Sequence, residues 1–163
     1  MRPVNNYIPT KIFTAETLQQ QLYRWRLLNK KIVFTNGVFD ILHEGHIASL
    51  TDAASYGDIL IVGLNSDASV KRLKGESRPV NNENSRAILL ASLLMTDVII
   101  LFEEDTPLEL IKSIMPDVLV KGGDYTVEQI AGAKEVIANG GEVKIASILP
   151  GFSTTGIIEK MKK

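Results

Sequence analysis

The only two histidines in the chain stand three residues apart, in Thr35-Asn36-Gly37-Val38-Phe39-Asp40-Ile41-Leu42-His43-Glu44-Gly45-His46. Three apart places both imidazoles on one face of a helical turn. Gly45 between them lets a ligand approach the backbone. The helix that follows offers free N–H groups, which favour a phosphate. Two imidazoles beside that terminus can donate to phosphate oxygens as charge builds in a transition state. Other readings of the pair remain. The rings can satisfy backbone groups, or form a general acid–base pair without phosphate. A metal pair is poorly supported, because zinc takes three or four protein ligands and the chain has no Cys and no further His. A second group with chemistry is Ser153-Thr154-Thr155 near the other end. Its hydroxyls and N–H groups can meet phosphates, or form a plain helix cap with the same geometry.

Elements that position these groups follow from the apolar pattern. Thr14 caps a helix to about Leu28, with Leu18, Leu22 and Trp25 at helical spacing. Lys31–Thr35, Asp58–Leu64, Val98–Phe102, Val118–Val120 and Glu142–Ala146 read as short buried strands. Helices are expected over His46–Tyr56, Ser66–Leu73, Glu83–Met95, from Thr106-Pro107-Leu108-Glu109 as a capping box, over Thr126–Ala138, and over Ser153–Met161. Lys74–Asn82 reads as a loop. Strands alternating with helices predict an α/β fold, a doubly wound five-stranded parallel sheet. Ligands in such sheets sit beyond the carboxyl ends of the strands. That rule selects Asn36–His46, Asn65–Arg78, Lys121–Tyr125 and Gly151–Thr155.

Composition bounds the function. At 163 residues the chain is one domain with room for a short appendage. No cysteine means no disulfide and no thiol nucleophile. A net charge of -1 argues against a nucleic-acid partner. The longest apolar window, Ala87–Phe102, is interrupted by Asp97 and is too short to span a bilayer. Met1–Asn6 carries no apolar leader segment, so a cytoplasmic protein is expected. No GxGxxG follows the first strand and no Walker A lysine motif is present, which argues against a dinucleotide oxidoreductase and against P-loop chemistry.

Gly37-Val38-Phe39-Asp40 followed by His43-Glu44-Gly45-His46 resembles the GxFDxxHxGH signature of the nucleotidyltransferase superfamily, which includes cytidylyltransferases. Phe152-Ser153-Thr154-Thr155-Gly156 resembles its second signature, at the start of the last helix. The likeness runs from about Lys30 to Lys160. Asn65-Ser66-Asp67, Arg78-Pro79-Val80-Asn81, Glu103–Pro107, Pro116–Tyr125 and Ala138–Val143 are similar to the adenylyltransferase domain of bacterial heptose-phosphate enzymes. The resemblance implies a Rossmann-like domain over 30–163 behind an N-terminal helical extension, 1–29. It implies transfer of AMP from ATP to D-glycero-β-D-manno-heptose 1-phosphate, giving pyrophosphate and ADP-heptose, a lipopolysaccharide precursor. In many bacteria that domain follows a sugar kinase; 163 residues leave no room for one, so a separate kinase upstream is expected.

The same resemblance assigns roles. His43 and His46 meet the nucleotide phosphates, His46 at the α-phosphate, and Lys74 is the catalytic cation, with Lys71 as its alternative and a solvated surface lysine as the competing view. Asn36, Gly37, Val38, Phe39, Asp40, Gly45, Lys121, Gly122, Asp124, Ser153, Thr154 and Thr155 form the nucleotide site. Val38 and Phe39 act through backbone groups, and Asp40 orients the turn. Tyr125 lines the base or sugar pocket. Asn65, Asp67, Arg78 and Arg86 meet the sugar phosphate or pyrophosphate, although Arg86 can equally pair with Glu83 on its helix. No protein metal site is implied; Mg²⁺ arrives with ATP. A homodimer is implied. Two departures stand out: Ala146–Pro150 lacks an arginine that some relatives carry, and Val38 replaces a small polar residue. A cytidylyltransferase acting on glycerol 3-phosphate, and a non-catalytic nucleotide sensor, are the alternatives.

Overall fold

The computed structural model describes residues 7–123, 125–146 and 151–161. Its sheet has six parallel strands: β1 (Ile12–Phe13), β2 (Ile32–Gly37), β3 (Ile59–Asn65), β4 (Val98–Phe102), β5 (Val118–Gly122) and β6 (Glu142–Ala146). Their order across the sheet is β1-β4-β3-β2-β5-β6. The expected five strands are therefore corrected to six. The extra one is a two-residue edge strand from the N-terminal segment, with Ile12 opposite Ile99. Two residues carry no periodicity, so pattern alone had nothing to find.

Seven helices connect the strands among the described residues: α1 (Ala15–Leu27), α2 (Glu44–Ala54), α3 (Asp67–Lys74), α4 (Glu83–Ala91), α5 (Leu108–Ile114), α6 (Ala133–Ala138) and α7 (Thr154–Met161). Strand alternation sends side chains to two separate cores. Val33, Leu60, Val62 and Ile99 pack with Leu50 and Ala53 of α2 and Leu90 of α4 on one face. Ile32, Phe34, Ile61 and Ile100 pack with Leu18 and Leu22 of α1 and with Ile111 of α5 on the other. The N-terminal helix thus belongs to the cover of the sheet.

The amino edge of the sheet is tied by a repeated device. Asp58, Asp97 and Asp117 each precede a strand, and each carboxylate accepts a backbone N–H at the start of a neighbouring strand: Lys31 just before β2, Leu60 near the start of β3, and Ile32 at the first residue of β2, at 2.8, 2.8 and 2.7 Å. These bonds satisfy donors that the ladder leaves unpaired. The carboxyl edge is free to carry function. There β2 lies between β3 and β5, and the chain reverses its direction of winding. A cleft opens at such a point.

Two local expectations fail. Thr106 forms no capping box: α5 begins after Pro107, which has no side-chain cap bond. The box forms instead at Thr126 with Gln129, on a single 3-10 turn (Val127–Gln129). Gly132, at φ 82°, then separates that turn from α6, so Thr126–Ala138 is not one helix. Leu22 is 1% exposed. Leu22→Ala is expected to cost about 2–5 kcal/mol in urea unfolding; a loss under about 0.5 kcal/mol, the scale of a surface change, contradicts this packing.

Candidate active site

β2 ends at Gly37 and the chain turns sharply. Phe39 sits at φ 47°, a left-handed conformation held at a cost by its surroundings. Those surroundings are two buried charges. The Asp40 carboxylate accepts from Arg78 Nε at 2.6 Å and from the backbone N–H of Val80 and Asn81 at 2.8 and 2.9 Å. Burial would raise this carboxyl; the donors of Asn81, Val80 and Arg78 outweigh it and hold it below the usual range. The Arg86 guanidinium is fully buried, and donates to the carbonyls of Val38 (2.7 Å) and Asn81 (3.0 Å) and to Asp67 Oδ1 (2.7 Å). The turn, the loop before α4 and the start of α3 are thereby locked together.

His43 takes the N-cap position of α2, with extended backbone and no side-chain cap bond. The reading of the histidines as caps is therefore not what the structure shows at His43. The two rings stack, centroids 3.8 Å apart and planes 18° apart. Phe39 lies 5.2 Å from His46, and Phe152 lies 6.3 Å from His43. Burial, and then the neighbouring His43, push His46 down to about 4, and burial lowers His43 too. Nδ1 of each ring is buried without a partner among the described residues. This leaves Nε2 as the ring nitrogen available to a ligand. A Cβ on Gly45 would meet His43 Nδ1 at 3.1 Å and Phe152 Cβ at 3.2 Å. The absence of a side chain at Gly45 lets the C-terminal turn and the His43 ring pack against it.

That turn comes from the far end of the chain. The Ser153 hydroxyl accepts the Gly156 N–H at 3.0 Å, so Ser153 acts as a cap. Thr154 and Thr155 open α7 and face a cavity of about 240 Å³ together with His46, Asp40, Lys74 and Arg78. The imidazole and the hydroxyls are thus brought to one place from opposite ends of the sequence. A second cavity of about 200 Å³ adjoins it, sharing Val38, Phe39 and His46 and adding Lys121 and Gly122. A third, about 400 Å³, shares Asn36, Gly37, Val38 and Lys121, and extends to Asn65, Lys74 and Tyr125. Together they form a trough across the carboxyl ends of β2, β3 and β5.

The remaining candidates divide by what they touch. Lys74 faces the first and third cavities and has no ion pair among the described residues. Gly122 runs against α2, where a Cβ would sit 3.1 Å from Ser49 Oγ. Asn65 is buried and donates to Ser69 Oγ at 3.0 Å, at the edge of the trough. Arg78 faces the first cavity but is engaged by Asp40. Arg86 and Asp67 hold each other. The surface pair of Arg86 with Glu83 is not formed, because Glu83 instead accepts the Asp67 N–H at 2.7 Å. Arg86 is a buried strut beneath the site, with no face open to a substrate. Asp124 lies outside the described residues. Sequence reasoning missed Phe152 as a packing partner of His43, and missed Asp105, Thr106 and Gln129 as walls of the third cavity. Nothing in their spacing announces a wall. No group of three or more His, Asp or Glu that could hold a metal ion occurs among the described residues, and no helix of the described residues is long and apolar enough to cross a membrane.

His46 should titrate well below an ordinary histidine, near 4. With a folded value below the unfolded one, the unfolded chain takes up the proton first. This contribution to stability is therefore complete above pH 6.5 and is lost as the pH falls from 6.5 toward 4. NMR titration of the imidazole signals, assigned by His46→Gln, measures it; a His46 midpoint at or above the ordinary 6.5 contradicts the buried, stacked arrangement.

Comparison with known proteins agrees with this geometry. The cytidylyltransferase-like family matches residues 34–160. The chain is 57% identical over 154 residues to the bifunctional protein HldE of Rhodopseudomonas palustris (strain BisB5), covering 94% of this chain and 31% of that protein. It is 56% identical over 151 residues to the HldE of Salmonella paratyphi A, covering 93% and 32%. The chain thus spans about a third of the length of these relatives. A crystal structure of a lipopolysaccharide core biosynthesis protein from Thermoplasma volcanium GSS1 superposes with TM-score 0.59 at 33% identity, covering 74% of this chain and 97% of that one. Pantoate-beta-alanine ligase from Francisella tularensis shares the fold at 17% identity and TM-score 0.61, covering 93% of this chain and 76% of that one. With both signature turns facing one trough and the family matching most of its length, the chain belongs to the cytidylyltransferase-like family.

Proposed function

We propose that the protein transfers AMP from ATP to a sugar 1-phosphate, D-glycero-β-D-manno-heptose 1-phosphate, releasing pyrophosphate and forming ADP-heptose. The observation that carries this is the single cavity shared by His46, Thr154, Thr155 and Lys74. Neutral imidazole, hydroxyl, helix N-terminal N–H and ammonium groups converge there, which suits a polyphosphate. The choice of heptose rests on the sequence blocks Asn65–Asp67, Arg78–Asn81 and Pro116–Tyr125, and on relatives named HldE and for lipopolysaccharide core biosynthesis.

In this reaction a phosphate oxygen of the acceptor attacks the α-phosphorus of ATP. The new P–O bond forms as the bond from the α-phosphorus to the bridging oxygen breaks. That oxygen leaves with the electron pair on pyrophosphate. No proton transfer to the protein is required, so positioning and charge neutralisation supply the catalysis. His46 donates from Nε2 to the α-phosphate. His43 stacks behind it and donates to the neighbouring phosphate. Thr154 and Thr155, with α7 behind them, hold the leaving pyrophosphate, and Lys74 neutralises it. Backbone groups of Gly37, Val38 and Phe39 line the nucleotide, and Asp40 and Arg86 hold that backbone still. Mg²⁺ accompanies ATP; a heptose kinase acts upstream; the working unit is a cytoplasmic homodimer.

Pyrophosphate release decides the substrate. ATP with heptose 1-phosphate should be turned over; activity only with CTP, or only with glycerol 3-phosphate, contradicts the assignment. His46→Ala should lower kcat by a factor on the order of 10² to 10³, the cost of one transition-state donor. An unchanged rate contradicts the role of His46.

A further inference from the structure

Lys121 is the charged group least accounted for by the interactions above. It is the penultimate residue of β5, half-buried, beside the point where β5 and β2 diverge. Its Nζ donates to Asn36 Oδ1 at 3.3 Å and lies 5.6 Å from the centre of the Tyr125 ring. Among the described residues no carboxylate stands within ion-pair distance of it. Burial pulls its pKa down. A half-buried ammonium without a counter-charge is unfavourable unless a ligand supplies one.

Position says which ligand. Lys121 faces the second and third cavities of the trough but not the first, where Thr154 and Thr155 lie. His46 faces the first and second. In-line displacement puts nucleophile and leaving group on opposite sides of the reacting phosphorus. With that phosphorus at His46 and pyrophosphate at Thr154 and Thr155, the nucleophile enters from the side of Lys121. Base and ribose are uncharged, so the anion expected on that side is the acceptor phosphate. Lys74 borders both the first and the third cavity, and the one acid lining the third among the described residues, Asp105, is bound to Arg72 at 2.8 Å. With Lys74 engaged at the pyrophosphate, Lys121 is the cation left on that side for an anionic group.

We infer that Lys121 holds the phosphate of the acceptor, not the nucleotide, and thereby selects phosphomonoester acceptors. This rests on the adenylyl-transfer assignment above. Two measurements test it. In steady-state kinetics, K121M should raise KM for heptose 1-phosphate about 10-fold or more, as expected for one lost charge-assisted hydrogen bond. KM for ATP should stay within about twofold, well under the 1.4 kcal/mol that a tenfold change represents. K121R, which keeps the charge, should recover part of the loss. A rise confined to ATP, or equal for both substrates, overturns the inference. The second readout needs no turnover. Lysines are ¹³C-methylated reductively, which preserves their charge, and the Lys121 signal is identified by its loss in K121R. With α,β-methylene-ATP present, adding heptose 1-phosphate or inorganic phosphate should shift that signal and raise its titration midpoint. Silence toward both phosphates overturns the inference. If the protein turns over no acceptor but the signal still responds to phosphate, the adenylyl-transfer assignment falls and the phosphate site at Lys121 stands.

Discussion

The carboxylate of Asp40 is almost wholly buried and is kept ionised by three donors from one short segment, Arg78, Val80 and Asn81. Removing the partners of a buried charge costs about 3–5 kcal/mol, so turn and segment cannot separate cheaply. Arg86 repeats the device with opposite sign, holding the Val38 carbonyl, the Asn81 carbonyl and Asp67. Between them these two charges fix the backbone from Gly37 to Asp40, including the left-handed Phe39. Phe39 in turn packs on His46, and His46 on His43. The placement of the imidazoles thus descends from a pair of buried ions, of which Asp40 borders the first cavity and Arg86 lies wholly beneath it.

A second constraint is the reversal of strand order between β2 and β5. It leaves the carboxyl ends of these strands without a covering helix and opens the trough there. The amino ends are closed by the aspartate bonds to neighbouring strands. Stability and function therefore occupy opposite edges of one sheet. The trough itself collects groups of two kinds. The histidines, depressed by burial, are neutral at neutral pH. Lys74 and Lys121 bring charge from the flanks. In the proposed transfer, neutral donors at the reacting phosphorus with cations around it would stabilise charge as it moves outward to the leaving group.

Much of this was legible in the residues. Val98–Phe102 has the bounds its apolar run gives, because a central strand of a parallel sheet is apolar throughout; Glu142–Ala146 also has its expected bounds, as a partly exposed edge strand set off by Gly140-Gly141. The two signature turns were found because their residue types have few other uses together. What escaped depends on partners distant in sequence. Ile12–Phe13 is a strand only because β4 offers an edge. Arg86 looks like half of a surface pair with Glu83, and only the fold brings Val38 and Asp67 to it. Thr106 has the letters of a capping box, but the chain enters α5 after Pro107 without that bond. Nothing in the spacing of Gly45 shows that Phe152, from the other end of the chain, packs where its side chain would be.

The central claim is that imidazole and hydroxyl groups from opposite ends of the chain grip one triphosphate, with the innermost phosphate at His46. A crystal structure of the protein with α,β-methylene-ATP measures this directly. The account predicts the α-phosphate within hydrogen-bonding distance of His46 Nε2, and the outer phosphates at Thr154 and Thr155. A triphosphate seated away from His46, or a nucleotide that leaves Thr154 and Thr155 untouched, contradicts it.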